Sequence, residues 1–253
     1  GLGKSEWVIP HLYYTPPVTD TLTCGIGEFT RFGLGFESPP TWPGRFNIYG
    51  VNLQSFSISP NIAGAATDKL SLAAGIEIVY VDLDMKKRAK VEPGGGMYME
   101  VDSNIREATD TGLGFNVAGH YQFNDQWAMG LLYRSQVRVH AKGEVEYTLV
   151  DHNIPVPGMA EGAFAQNFRD GKAHSTVILP DSVSGGISFT PIPDLSFEFS
   201  ATYTRWISFR DLNIHFPHSI GESPTHKHWY DVCRLRFAVE YFPPVLMTLC
   251  RGD

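Results

Sequence analysis

The strongest regularity along this chain is a period of two. Between Leu195 and Thr204, the residues Leu195, Phe197, Phe199, Ala201 and Tyr203 alternate with Ser196, Glu198, Ser200, Thr202 and Thr204. Successive strand side chains point to opposite faces, so this spacing predicts a strand with one apolar and one polar face. A helix would scatter both sets around its circumference. Segment 127–142 repeats the pattern at greater length. Trp127, Met129, Leu131, Tyr133, Val137 and Val139 share one predicted face; Arg134, Gln136, Arg138, His140 and Lys142 share the other. Segments 113–123 and 229–241 alternate in the same way, the second with Arg234, Arg236 and Glu240 on its polar face. Segment 70–78 alternates until the phase blurs near Tyr80. Phe56, Ile58 and Ile62 follow a phase slip after Gln54, which predicts a bulge there.

Punctuation supplies the second signal. Short turns are predicted at 16–20, 66–68, 124–126 and 191–194, each holding one aspartate (Asp20, Asp68, Asp125, Asp194), with a fifth at 243–244. Longer connections, rich in Gly and Pro, are expected at 36–50, 87–110, 143–181 and 215–228. Hairpins that are tight at one end and loose at the other, built from long two-faced strands, predict an all-β fold: an antiparallel transmembrane β-barrel. A tilted strand crosses a bilayer with about 9–11 residues, and several segments here are longer. Aromatic residues gather beside the short turns, namely Phe123 and Trp127, Phe189 and Phe197, and Tyr13 and Tyr14. That is the arrangement of an interfacial girdle. A soluble β-sandwich also alternates, but its strands average about 5–6 residues.

Composition then removes other classes. The 253 residues carry a net charge of -7, which argues against a general nucleic-acid binder needing a basic face. No apolar run of about 18 residues exists, so a helical membrane bundle is excluded. A mean hydropathy of -0.14 does not exclude a barrel, which turns only every second residue toward lipid. Three cysteines, Cys24, Cys233 and Cys250, show no metal spacing, and His215, His218, His226 and His228 are irregularly placed, so neither metal nor cofactor is expected. Gly3-Lys4-Ser5 lacks the earlier glycine of a phosphate loop, and no nucleophile elbow or acid/base carboxylate pair is evident, so no enzyme is expected. Arg251-Gly252-Asp253 reads as a chance tripeptide. No leader pattern follows Gly1.

Several stretches, in order, resemble the FadL/TodX-type outer-membrane transporters of long-chain fatty acids and other hydrophobic compounds. They are Tyr133-Arg134-Ser135, Leu179-Pro180-Asp181-Ser182, residues 185–190 and 195–204, Trp206 with Phe209 and Leu212, and Trp229-Tyr230-Asp231 leading to Arg234. The resemblance implies a bacterial outer-membrane protein, monomeric and surrounded by outer-membrane lipid. Its fold would be a 14-stranded barrel plugged by an N-terminal hatch. About nine strands are read here, with a tenth at 245–250. No Asn-Pro-Ala hatch signature is seen, so residues 1–253 are expected to be one barrel domain truncated at both ends.

The resemblance also implies a route. Substrate enters an outer hydrophobic groove, meets basic side chains in an inner pocket, and leaves sideways through a strand kink. The inner basic residues would fall near Lys86, Lys87 or Arg88 and near Lys227. From the residues themselves, Arg134, Arg138, His140 and Lys142 are expected to point together into the lumen, as are Arg234 and Arg236. Two uses remain open: a head-group site for a carboxylate, or a lumen ladder in which these arginines pair with Glu77, Glu198 and Glu240. Phe164 and Phe168, in the 143–181 connection, are candidates for the outer groove. The alternatives to a transporter of fatty acids or other lipophiles are a general porin for polar solutes and a soluble β-protein such as an adhesin.

Overall fold

The computed structural model describes residues 10–209, 211–215, 223–226 and 229–242. The turn expected at 243–244, the strand at 245–250 and Lys227 lie outside them. The elements are β1 (Leu12–Tyr14), β2 (Leu22–Phe29), β3 (Gly33–Glu37), β4 (Gly50–Ala65), β5 (Leu70–Gly94), β6 (Met97–Gln122), β7 (Trp127–Arg134), β8 (Val137–His152), α1 (Met159–Asn167), β9 (Gly171–Leu179), β10 (Ser182–Ile192), β11 (Leu195–Thr204), β12 (Asp211–His215), β13 (Ser223–His226) and β14 (Val232–Tyr241). They form one sheet in the order β1-β2-β4-β5-β6-β7-β10-β11-β14, with β3, β8 and β9 prolonging β2, β7 and β10. All its registered pairs are antiparallel, giving the nine sequential staves expected. The β12–β13 hairpin adds to β9.

The short turns fall where the sequence placed them, and local side chains close them. Asn124 Oδ1 accepts from the backbone N–H groups of Gln126 and Trp127, both at 2.9 Å. The long-loop end differs. Segment 87–110, expected to be loop, is strand: β5 and β6 run on as a hairpin closed at Gly94, Gly95 and Gly96, whose φ values are 112°, 63° and 76°. Segment 143–181 likewise holds the end of β8, α1 and all of β9. Beyond the bilayer a stave no longer needs a continuous apolar stripe, so the pattern that marks a strand fades while the ladder continues.

The phase of segment 127–142 is also corrected. Trp127, Met129 and Leu131 face outward and are exposed, yet Val137, Val139 and Ala141 are fully buried. Ser135 and Gln136 interrupt the stave, and eight steps from Arg134 to Lys142 face seven from Thr109 to Asn116. One extra residue inverts every following side chain. Ser135 closes the break with β6: its N–H donates to Phe115 O (2.9 Å), and its Oγ accepts from Phe115 N–H (2.8 Å). The inverted valines fold over Gly112 and Gly114. A Cβ on Gly112 would lie 2.7 Å from Arg138 O, and one on Gly114 would lie 2.7 Å from the Val137 side chain.

The bulge expected in β4 lies in its neighbour instead. β4 pairs with β5 without a register shift. Between β2 and β3, however, Phe29 opposes Ser57 and Gly33 opposes Gln54, so four steps face three. The blurred phase near Tyr80 has a different cause. Val79 and Val81 are buried inside, while Ile78 and Tyr80 are exposed outside, so both faces of β5 are apolar there. The sheet curls until β4, β5, β6, β8 and β9 share one inner cluster, in which Leu83, Ile105, Val137, Val177 and Leu179 pack with Phe32 and Leu53. The upper interior is therefore apolar, contrary to a uniformly polar lumen.

Outside, the girdle runs unbroken across β7, β10, β11 and β14. Trp127 stacks on Phe189 (4.3 Å between centroids), Phe189 on Phe197 and Phe197 on Phe237 (6.5 Å each). Tyr13 departs from it and stacks on Phe29 (6.3 Å), which is buried.

Candidate functional site

The bulge between β2 and β3 aims one side chain into the curl. Ser55 of β4 holds the bulge by its backbone: its Oγ donates to Phe32 O (2.6 Å) and accepts from Phe32 N–H (3.1 Å). Arg31, one residue earlier, then crosses the interior. Its Nη1 donates to both Glu77 carboxylate oxygens and to Ser135 O, each at 3.3 Å, and Nη2 donates to Pro180 O at 2.9 Å. The Arg31 side chain is 4% exposed and that of Glu77 0%. Ser135 and Pro180 are the break points of the staves β7/β8 and β9/β10. One guanidinium therefore caps two carbonyls that the kinks withdrew from the ladder, and its charge is met by a carboxylate on β5.

Above this ion pair lies a cavity of about 360 Å³, with Arg31 among its lining residues. Its other walls are apolar and aromatic: Phe32, Phe36, Leu53, Met85, Leu179, Trp206, Phe209 and Trp229. Trp206 sits edge-on to Phe32 (5.3 Å) and Trp229 (4.8 Å), which fixes the upper wall. Below the pair, the inner face turns polar. Ser59 Oγ donates to Ile76 O (3.1 Å) and accepts from the amides of Asn61 and Asn116 (3.0 Å each). A second recess of about 500 Å³ follows, with Arg134, His120, Glu198 and Arg236 on its walls. The interior thus has an apolar chamber, a polar septum and a polar lower recess.

The residues singled out from sequence are distributed over these zones and beyond them. Of the four expected to share the lumen, only Arg134 faces in. Its guanidinium lies over the Phe29 ring (4.6 Å), and its buried Nε has no hydrogen-bond partner among the described residues. Arg138, His140 and Lys142 are exposed on the outer face, because the break at Ser135 inverts them. Arg234 and Arg236 do face inward, opposite Thr202 and Ser200. Arg88 is committed to Asp102 (2.7 Å) and Glu100 (3.5 Å), bracing the long hairpin, and neither it nor Lys87 lines the chamber. Phe164 and Phe168 stack on each other (5.7 Å), and Phe168 packs on Tyr147 (5.5 Å), forming a separate cluster by α1. Glu77 pairs with Arg31, not with the arginines that follow the kink.

Arg31 was not legible as a site residue. It lies in a break between two alternating runs, and its partners are 46, 104 and 149 residues away. No group of residues able to hold a metal occurs among the described residues.

Known proteins share this architecture. The model of the family described as "Outer membrane protein transport protein (OMPP1/FadL/TodX)" matches residues 3–248. Outer membrane protein P1 of Haemophilus influenzae is 26% identical over 237 residues, covering 82% of this chain and 48% of that protein. The long-chain fatty acid transport protein of Salmonella typhi is 22% identical over 263 residues, covering 95% and 58%. The crystal structure of a Pseudomonas aeruginosa FadL homologue superposes with a TM-score of 0.79 at 18% identity, covering 92% of this chain and 56% of that one. The CymD monoaromatic hydrocarbon channel gives 0.75 at 15% identity, covering 96% and 68%. The chain spans about half the length of the curated relatives it matches. With its lipid-facing girdle, kinked staves and curled apolar interior, it belongs to the OMPP1/FadL/TodX family of outer-membrane transport proteins.

Proposed function

We propose that this chain forms the binding wall of an outer-membrane conduit for lipophilic small molecules, long-chain fatty acids or other hydrophobic compounds, within a single monomeric barrel. The observation that carries this reading is the aromatic chamber enclosed by the curl and floored by the Arg31–Glu77 pair. An acyl chain gains about 0.8 kcal/mol per methylene moved from water into such walls. A carboxylate head would find Arg134 below the septum, where its buried Nε has no hydrogen-bond partner among the described residues. The kinks at Ser135–Gln136 and Pro180–Asp181, aligned on neighbouring staves, offer a sideways exit through the wall. A general porin fits less well, since an open water path would have to cross the apolar chamber. A soluble adhesin fits less well again, since Leu113, Phe115, Leu131 and Ile187 are all exposed on one outer band.

The test uses the full-length protein containing this chain, expressed in cells lacking their own fatty-acid transporter. Leu53 lines the chamber, so Leu53→Trp fills it. Uptake of labelled oleate is expected to fall at least about tenfold while surface abundance is unchanged. Unaltered uptake with the chamber filled would sink the proposal, and a parallel loss of small-sugar permeation would favour the porin.

A further inference from the structure

The inversion at Ser135 has a counterpart on the outside. Above the break, Arg138, His140 and Lys142 of β8 are exposed, and so are Lys172 and His174 of β9. The two staves are in register here: Lys142 opposes His174, and Glu144 opposes Lys172. These side chains therefore form one outward patch. Arg138, Lys142 and Lys172 make no ion pair among the described residues. The Asp110 carboxylate is held at the backbone of the patch, accepting from His140 N–H (3.2 Å), and Glu107 and Glu144 stand at the end farther from the apolar band, around a cleft shared with Lys142 and Lys172.

The height of the patch can be read from the band below it. On β6 the outward apolar run extends from Phe123 beside the short turn back to Leu113, after which Thr111, Thr109 and Glu107 follow. On β5 it extends to Tyr80, followed by Asp82 and Asp84. Ten steps of about 3.3 Å at a tilt of about 40° rise about 25 Å, the height of a barrel's lipid-facing band. Arg138 lies about eleven steps above Trp127, so it stands where the band ends. Long loops mark the outer side of an outer-membrane barrel, which puts the patch at the head-group level of the outer leaflet.

We propose that Arg138, Lys142 and Lys172 bind the phosphate groups of an anionic, phosphorylated lipid of the outer leaflet, whose acyl chains lie on the apolar band beneath. Charge complementarity and continuity with the lipid-facing surface both favour this occupant. Cations with no ion-pair partner among the described residues can make charge-assisted hydrogen bonds to phosphate. The lipid chains add the apolar contacts that a free phosphate ion lacks. The inference rests on the membrane orientation assigned above but not on the transport reading, because lipid on the outer wall does not touch the chamber.

The experiment uses full-length protein purified in a neutral detergent and titrated with fluorescent bis-phosphorylated lipid A. The triple variant Arg138→Gln/Lys142→Gln/Lys172→Gln is compared with the parent and with Lys90→Gln, a cation near the hairpin tip. Each cation near a charged lipid surface contributes about fivefold in affinity, so the triple variant is expected to bind on the order of a hundredfold more weakly. Lys90→Gln should bind as the parent does, and parental binding should weaken with added salt. Equal affinity of parent and triple variant would overturn the proposal. So would equal binding of dephosphorylated lipid A, which would show an acyl annulus alone, or complete displacement by 10-fold excess inorganic phosphate, which would show a free-anion site. Binding lost equally in Lys90→Gln would show only an effect of net charge and would also overturn it. Oleate uptake, measured alongside, separates this outcome from failure of the transport reading.

Discussion

Replacing Arg31 by Met removes a charge from the middle of the barrel while roughly keeping the side chain's length. Glu77 would then be left fully buried with no ion-pair partner among the described residues. Removing one partner of a buried pair costs about 3–5 kcal/mol, because the remaining charge has lost both water and its mate. The carbonyls of Ser135 and Pro180 also lose the donor that Arg31 supplies, at about 1 kcal/mol each. These losses share one site and do not add fully, so the expected total is about 4–6 kcal/mol. Glu77→Gln keeps those carbonyl contacts and an amide oxygen that can still accept from Arg31, so it should cost less than that range, about 2 kcal/mol. In the double variant the orphaned charge is gone, so it should be no less stable than Arg31→Met alone. The coupling between the two positions is then at least about 2 kcal/mol. Urea unfolding of the full-length protein in detergent micelles would measure this through tryptophan fluorescence, since Trp206 packs on Phe32 next to Arg31. A coupling below about 0.5 kcal/mol would refute the argument that this pair is closed to solvent.

Two further expectations test the geometry directly. In a background with the native cysteines replaced by serine, Arg138→Cys should react on intact cells with a large membrane-impermeant maleimide, and Arg134→Cys should not; labelling of both would contradict the inversion at Ser135. Gly112→Ala places a Cβ 2.7 Å from Arg138 O and against Val137, so it should lower unfolding stability by about 1–3 kcal/mol, whereas Gly162→Ala in α1, where nothing lies within 4 Å, should be neutral or mildly stabilising.

Strands and short turns were legible because lipid imposes a local rule. Every second residue over one bilayer height must be apolar, and Phe123 to Leu113 or Leu195 to Tyr203 show this without any knowledge of their neighbours. The rule ends at the membrane surface, which is why the hairpin around Gly95 and the upper parts of β8 and β9 read as loops. It also fails where both faces are apolar: Ile78 to Val81 lie between lipid outside and the chamber inside, and their phase cannot be read from polarity.

The sequence alone determined the two-faced staves, their order, the girdle and the family resemblance, since each depends on neighbours a few residues apart. Only the tertiary structure decided which face each upper stave turns inward. A single extra residue at Ser135–Gln136 reverses the phase, and nothing in its chemistry announces the reversal. It leaves Arg134, which precedes it, facing the lumen and turns Arg138, His140 and Lys142 to the outer face. The curl alone brought Arg31 to Glu77, Ser135 and Pro180. Those contacts span up to 149 residues, and the curl of the sheet is a property of all the staves together, not of any one of them.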